Sequence, residues 1–429
     1  MTRNQIFILL ILGGLMTGSG FYVGHSLLKP SQIAPLLAIA ILPFSIVRNR
    51  LRYDRLALWL ALYVGLTGLY NIPALEKDQL IDFGFIVSTF LVYIAAFLSA
   101  KLVLKGDRFP LKVILFLFAG LFCLYIFQVT TGTNLVANSE ERDFYSTTFN
   151  NINDISSVVI VFMPLIFYSL QRWKPSDLAI VSAYLLISGW IVIMGSRSCL
   201  IALVIVPLML LIFSANYLWK LIILSFTGFM SVAISQLDWQ SIIGSLAELE
   251  NEIISRPASR VYLFLFDFSG DKSSSYRLDS YIYAIEHFGD TVFGLGTKNY
   301  GSFYKAGFGA DTLVAYAPHS YFIENAIAFG WFGLFLIACM LLACLFAVLR
   351  DRRYQFYGLT TFLLFIVASF VPSTLIRLPI IWFPLFFFAQ IATQHRAISD
   401  IEPDLALASD EISEDLEEAE NEESDLIYI

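Results

Sequence analysis

Apolar residues in this chain come in long unbroken runs. Stretches of 16 residues or more with few or no charges recur near residues 6–24, 32–47, 56–71, 79–99, 113–128, 155–170, 178–195, 198–213, 217–235, 321–349, 355–371 and 374–394. A helix needs about 20 apolar residues to cross a hydrocarbon core of about 30 Å, so the pattern predicts about twelve transmembrane helices. Barrel strands would alternate polar and apolar positions instead. The first run holds Gly18-Ser19-Gly20 and is followed by no clean small-x-small cleavage site, so it reads as a helix rather than a removed leader.

Between the ninth and tenth runs lies residues 236–318, the only stretch outside the spans long enough to fold. Its pieces are amphipathic (YRLDSYIYAIEHFG, 276–289) or rich in turn formers (FSGDKSSS, 268–275; GLGTKNYGSF, 294–303). A few short helices lying over the mouth of the membrane domain are expected there. The patch VYLFLFDF at 261–268 is too short to span and suits the membrane interface.

Composition agrees with this reading. Of 429 residues, 58% are hydrophobic and 14% charged, against roughly 45–50% and about 25% in soluble domains. That excludes a soluble enzyme, a disordered chain and a disulfide scaffold. The predicted fold is all-α: a polytopic membrane domain over residues 1–395, the long loop 236–318 within it, and an acidic tail from 396 to 429. Residues 397–429 hold 13 of the 35 acidic side chains and no Lys or Arg, so the tail is expected to be solvated and disordered. The four cysteines, Cys123, Cys199, Cys339 and Cys344, sit in or beside apolar runs as small buried side chains would, without disulfide or metal spacing.

Basic residues set the orientation, because cytoplasmic loops retain Lys and Arg. With the N-terminus inside, inner segments hold sixteen of the 27 basic residues, short outer loops hold five (Lys29, Lys77, Arg142, Arg197 and Arg377), and the long loop holds six. Both termini are therefore expected in the cytoplasm and the long loop outside.

The predicted helix centres carry no ionisable groups, which weakens an ion-coupled transporter reading. Basic and imidazole groups gather instead at the outer ends. Arg197 occupies the turn MGSRS between the seventh and eighth spans, Arg256, Arg260 and Arg277 lie in the long loop, and His319 precedes the tenth span. Arginine forks bidentately onto phosphate oxygens and stays charged, and histidine takes a proton near neutral pH. Each residue also has a plainer role: a snorkelling Arg197, a His319 bonded to backbone at a helix start, and a Glu324 facing the positive end of its helix. His25, His287 and His395 have no cluster of ligands beside them, so no metal site is expected.

Four stretches together resemble a known family. GSRSCLIAL (195–203) looks like the Ser-Arg-small turn of the O-antigen ligase and O-antigen polymerase superfamily. PHSYFIENAIAFGWFG (318–333) looks like its His-led segment, with Gly330 and Gly333 matching its late glycines. YRLDSYIYAIEHFGDTVFGLGTKNYGSF (276–303) resembles its Arg-led helix and Gly-x-Gly turn. FNNINDISSVVIVFMPLIF (149–167) is similar to its Asn-rich lead-in to helix six. The resemblance covers roughly residues 75–395. It implies an integral membrane glycosyltransferase of surface polysaccharide synthesis, in the bacterial cytoplasmic membrane with its site facing the periplasm. Its donor would be an undecaprenyl-pyrophosphate-linked glycan and its acceptor a sugar hydroxyl, on the lipid A core or on a growing O-antigen or exopolysaccharide. The resemblance implies no metal, nucleotide sugar or other cofactor, and no nucleic-acid partner. By it, Arg197 and Arg277 would bind the pyrophosphate and His319 would activate the acceptor. Arg260 rivals Arg277, while Glu324 and Arg377 are further candidates for substrate binding. The competing readings are a flippase or exporter of a lipid-linked glycan, and a scaffold for other assembly proteins acting through the tail.

Overall fold

The computed structural model describes residues 1–18, 29–49, 55–72, 77–133, 147, 149, 151–173, 177–194, 196–213, 238–250, 252–267, 272–297, 299, 302–305, 320–370 and 376–399. The long elements among them are α-helices: α1 (Arg3–Met16), α2 (Pro30–Asn49), α3 (Arg55–Asn71), α4 (Lys77–Leu104), α5 (Phe109–Thr131), α6 (Ile152–Trp173), α7 (Asp177–Met194), α8 (Arg197–Phe213), α9 (Trp239–Ala247), α10 (Glu252–Phe266), α11 (Lys272–Glu286), α12 (Tyr321–Leu349), α13 (Arg352–Ala368) and α14 (Phe383–Ser399). Two 3-10 turns, Phe288–Thr291 and Pro379–Trp382, join them, and no strand occurs among the described residues.

Four helical stretches are long and apolar enough to cross a membrane: Gln79–Leu104, Phe109–Thr131, Ile152–Trp173 and Tyr321–Leu349. With the shorter apolar helices, they make this a multi-pass membrane protein. Helices also occupy the other apolar runs that fall among the described residues. The predicted span 217–235 and the tail from 400 onward lie outside the described residues.

α6 is the axis of the bundle. It is enclosed on every side: from Ile155 through Ser169 every residue is covered. It packs on α5, α7, α8 and α13. Phe162 meets Phe118 at 5.1 Å and stacks on Phe383, while Tyr168 is edged by Tyr357 and Phe388. Its buried hydroxyls bond back along the helix, Ser156 and Ser157 to the Asn153 carbonyl and Ser169 to that of Leu165, so they stay satisfied where water is absent. α14 runs beside α4 and is buried from Phe383 to Ala392.

Three details depart from the sequence reading. The last run begins its α-helix at Phe383, after the turn at Pro379–Trp382, rather than near 374. Cys123 is exposed on the outside of the bundle and Cys339 is partly so, leaving Cys199 and Cys344 as the buried pair. The helix over 321–349 is also not continuous: Gly330 has φ 68° and ψ −164°, which breaks it one-third of the way along.

Candidate functional site

The first residues of α8 and α12 lie in one layer, and α13 shows why. Phe213 at the end of α8 contacts Phe356 in the first turn of α13, with ring centroids 6.4 Å apart. α8 packs along α13, so its start stands at the far end of that helix. At that same end Tyr321, the first residue of α12, donates its N–H to the Ser369 carbonyl at 2.8 Å. α6 reaches the layer too: it packs on α8, and the buried Cys199, in the first turn of α8, lies close to Ser156 and Ser157 of α6. Three helix N-termini therefore share this level, each with the positive end of its dipole.

Ser320 caps α12, its side chain accepting from the Ile323 N–H, and Glu324 follows in the first turn, buried at 2% exposure. Where members of the resembled family commonly carry Asn after the His, this chain thus has a helix cap. On the neighbouring α3, Tyr63 donates to Asn325, whose amide bonds back to the Tyr321 carbonyl at 2.7 Å.

α11 comes down onto this start through one face. Arg277, Ser280, Tyr281 and Ala284 recur at helical spacing. Ala284 joins Phe303, Tyr304 and Ile327 in a small core separate from the main one, with Tyr283, Leu295 and Ile323 against it. Arg277 sits two turns earlier on that face, half-buried, and its Nε has no hydrogen-bond partner. Burial pulls its guanidinium below the ordinary arginine value, opposed by the neighbouring Tyr281 phenol. Burial likewise pushes up the Tyr304 phenol, with added effects from Tyr281, Glu324 and Tyr283. Arg277, Tyr281, Tyr304 and Glu324 thus form a chain of groups within electrostatic reach of their neighbours.

The loop after α11 is locked to the break in α12. Leu295 and Gly296 donate to the Ile327 and Ala328 carbonyls at 2.7 and 2.9 Å, and the Trp331 N–H donates back to Val292 at 3.1 Å. Only glycine permits this approach. A Cβ on Gly330 would lie 2.2 Å from the Val292 carbonyl oxygen, and one on Gly294, itself at φ 78°, would lie 2.6 Å from that of Ala328. α3 fastens the other side: Tyr70 donates to the Phe293 carbonyl, and Thr297 donates to Asn71 Oδ1 at 3.0 Å.

Of the residues singled out in the sequence, Glu324 lies in the first turn of α12, and Arg277 lies on α11, whose Ala284 packs with Ile327 of α12. Arg197 opens α8 in the same layer. Arg260 lies on α10, which packs on α7 and α8, the hairpin that carries Arg197. Arg377 is half-exposed, and its Nε donates to Asp82 Oδ1 of α4 at 2.6 Å. His319 lies outside the described residues, and Arg256 is on α10. No cluster of metal ligands occurs among the described residues. Sequence reasoning missed Tyr281, Tyr304, Asn71 and Tyr70. Only Tyr281 carried a usable signal, its i+4 spacing from Arg277.

Residues 182–338 match the O-antigen ligase family model. The match supports membership of the O-antigen ligase superfamily. It runs from within α7, across the Arg197 turn and the loop helices, to the part of α12 just past the Gly330 break. The starts of α8 and α12 and the docked loop therefore fall inside the O-antigen ligase match, whereas the start of α6 and the end of α13 lie outside it. No curated protein matches the chain. The family suggests a membrane glycosyltransferase-like function in polysaccharide biosynthesis, acting on lipid-linked glycan and polysaccharide substrates.

Proposed function

We propose that the protein transfers a glycan from undecaprenyl pyrophosphate to a sugar hydroxyl, as an O-antigen ligase or an O-antigen or exopolysaccharide polymerase. The reaction would take place at the periplasmic face of a bacterial cytoplasmic membrane, in a domain of about twelve spans with both termini in the cytoplasm. The observation that carries this reading is Arg277: a half-buried guanidinium, short of a partner at Nε, on a helix that packs against α12 within the O-antigen ligase match. A buried cation with an unused donor is costly unless an anion completes it, and a pyrophosphate supplies that anion.

In the proposed reaction the acceptor oxygen attacks the anomeric carbon, and the carbon–oxygen bond to the pyrophosphate breaks. The bonding electrons leave on the lipid pyrophosphate, and the acceptor proton passes to His319. Arg197 and Arg277 neutralise charge growing on the leaving group, with Arg260 the rival of Arg277. Direct displacement inverts the anomeric centre. No step calls on a metal, nucleotide sugar or other cofactor.

The test is a transfer assay with purified protein in nanodiscs and undecaprenyl-pyrophosphate glycan as donor. Wild type, His319→Ala and Arg197→Ala are compared with core lipid and with a second repeat unit as acceptors. Product with wild type, lost in both variants while they remain folded, is the expected outcome, and the accepted acceptor tells ligase from polymerase. Donor crossing a vesicle bilayer with no new glycosidic bond would replace this reading with a flippase or exporter. A product retaining the donor's anomeric configuration would overturn direct displacement.

A further inference from the structure

At the opposite end of α12 from the candidate site, α3, α12 and α14 enclose a groove of about 480 Å³. Its walls are mostly apolar, with Trp59, Cys339, Phe346 and Ala389 among them and Gln390 and Thr393 on the α14 side, and its mouth carries two arginines. Arg55 is the first residue of α3 and Arg350 follows the last residue of α12, so both stand at the same boundary of the membrane domain. Both side chains are exposed, and neither has an ion-pair partner among the described residues. The nearby acid, Asp351, is engaged by His395 at 2.8 Å.

The length of the groove identifies its occupant. Cys339 and Arg350 are eleven residues apart on one helix, about 16 Å at 1.5 Å per residue. Half of a hydrocarbon core of about 30 Å is nearly the same distance. The groove is therefore one leaflet deep, apolar along its length and doubly cationic at the headgroup level. Free phosphate would leave the apolar length unused, and a zwitterionic lipid would bring its own cation beside the phosphate, so that the net charge at the mouth stays where the two arginines set it. We infer that this groove binds an anionic glycerophospholipid, its phosphate held between Arg55 and Arg350 and an acyl chain lying along α12. The site is separate from the candidate transferase layer and does not depend on the proposed reaction. In the proposed orientation it opens to the cytoplasmic leaflet.

Native mass spectrometry of the full-length protein in detergent, titrated with phosphatidylglycerol or phosphatidylcholine, tests this directly. At about fivefold per arginine near a membrane surface, wild type should prefer phosphatidylglycerol by about 30-fold. Arg55→Gln with Arg350→Gln should lose that preference, while Arg55→Lys with Arg350→Lys should keep most of it, which separates lost charge from lost fold. Inorganic phosphate at millimolar concentration should not displace the lipid. Equal binding of the two lipids by wild type, an undiminished preference in the double glutamine variant, or displacement by phosphate alone would each overturn the assignment.

Discussion

Replacing Gly330 by alanine perturbs the candidate site from a distance, because Gly330 touches none of its charged groups. At φ 68° and ψ −164° the residue lies in a region that essentially only glycine occupies, costing about 1–3 kcal/mol for another residue. The added Cβ would also stand 2.2 Å from the Val292 carbonyl oxygen and 2.7 Å from the Gly294 nitrogen, so the loop must withdraw. Withdrawal breaks the three backbone bonds made by Leu295, Gly296 and Trp331, each worth roughly 0.5–1.5 kcal/mol. Together these come to about 3–7 kcal/mol against the junction, or at least a 100-fold rise in its open population. Ile327 supplies both a carbonyl to the junction and a side chain to the small core under α11, so opening also frees the helix that carries Arg277. Hydrogen exchange by mass spectrometry on peptides covering 288–299 reads the change, and transfer activity should fall with it. Gly294→Ala should act alike, and the double variant should be scarcely worse than either single, since both break the same contact. Gly289→Ala, where a Cβ meets nothing within 4 Å, is the control and should stay within about 0.5 kcal/mol of wild type. Unchanged protection in Gly330→Ala, or fully additive effects in the double variant, would refute the reasoning.

Asn71→Ala leaves the buried Thr297 hydroxyl without its acceptor and should cost about 1–3 kcal/mol, seen as a lower melting midpoint and faster exchange around residue 297. Arg377→Gln should change stability by less than about 1 kcal/mol, because the side chain is half-exposed and such pairs contribute little; if Arg377 also meets the donor, KM for the donor rises while the melt stays put, and an unchanged KM removes it from the substrate-binding set. Deleting residues 400–429 should leave transfer near normal, since the proposed topology puts the tail across the membrane from the site, whereas loss of activity on truncation would favour an assembly role for the tail.

The helices were legible because continuous apolar runs are the strongest signal a membrane protein gives, and α11 because its amphipathic period is clean over four turns. What escaped were contacts between distant parts of the chain. Nothing local marks Gly330 as a break, since glycine is common within membrane helices; the break exists because Val292, Leu295 and Gly296, more than 30 residues earlier, satisfy the backbone groups it frees. Asp82 and Arg377 were each visible as charges near helix ends, but their pairing spans 295 residues. Tyr304 is one of 21 tyrosines, and its place beside Glu324 follows from how the loop folds back rather than from its neighbours in sequence.

The two arginines proposed for the pyrophosphate are held in physically different ways. Arg197 is the first residue of a helix fixed along its length by α13 and at its start by contact with α6, deep in the main core. Arg277 rides on a short helix held, among the described residues, by a four-residue core and, through the loop after it, by the glycine junction and the α3 contacts of Tyr70 and Asn71. Local opening free energies span from near zero to the global value, and elements with few buried contacts lie at the low end. In the proposed reaction the docked state of α11 is then what holds Arg277 in place, and the two glycines set how readily that state forms.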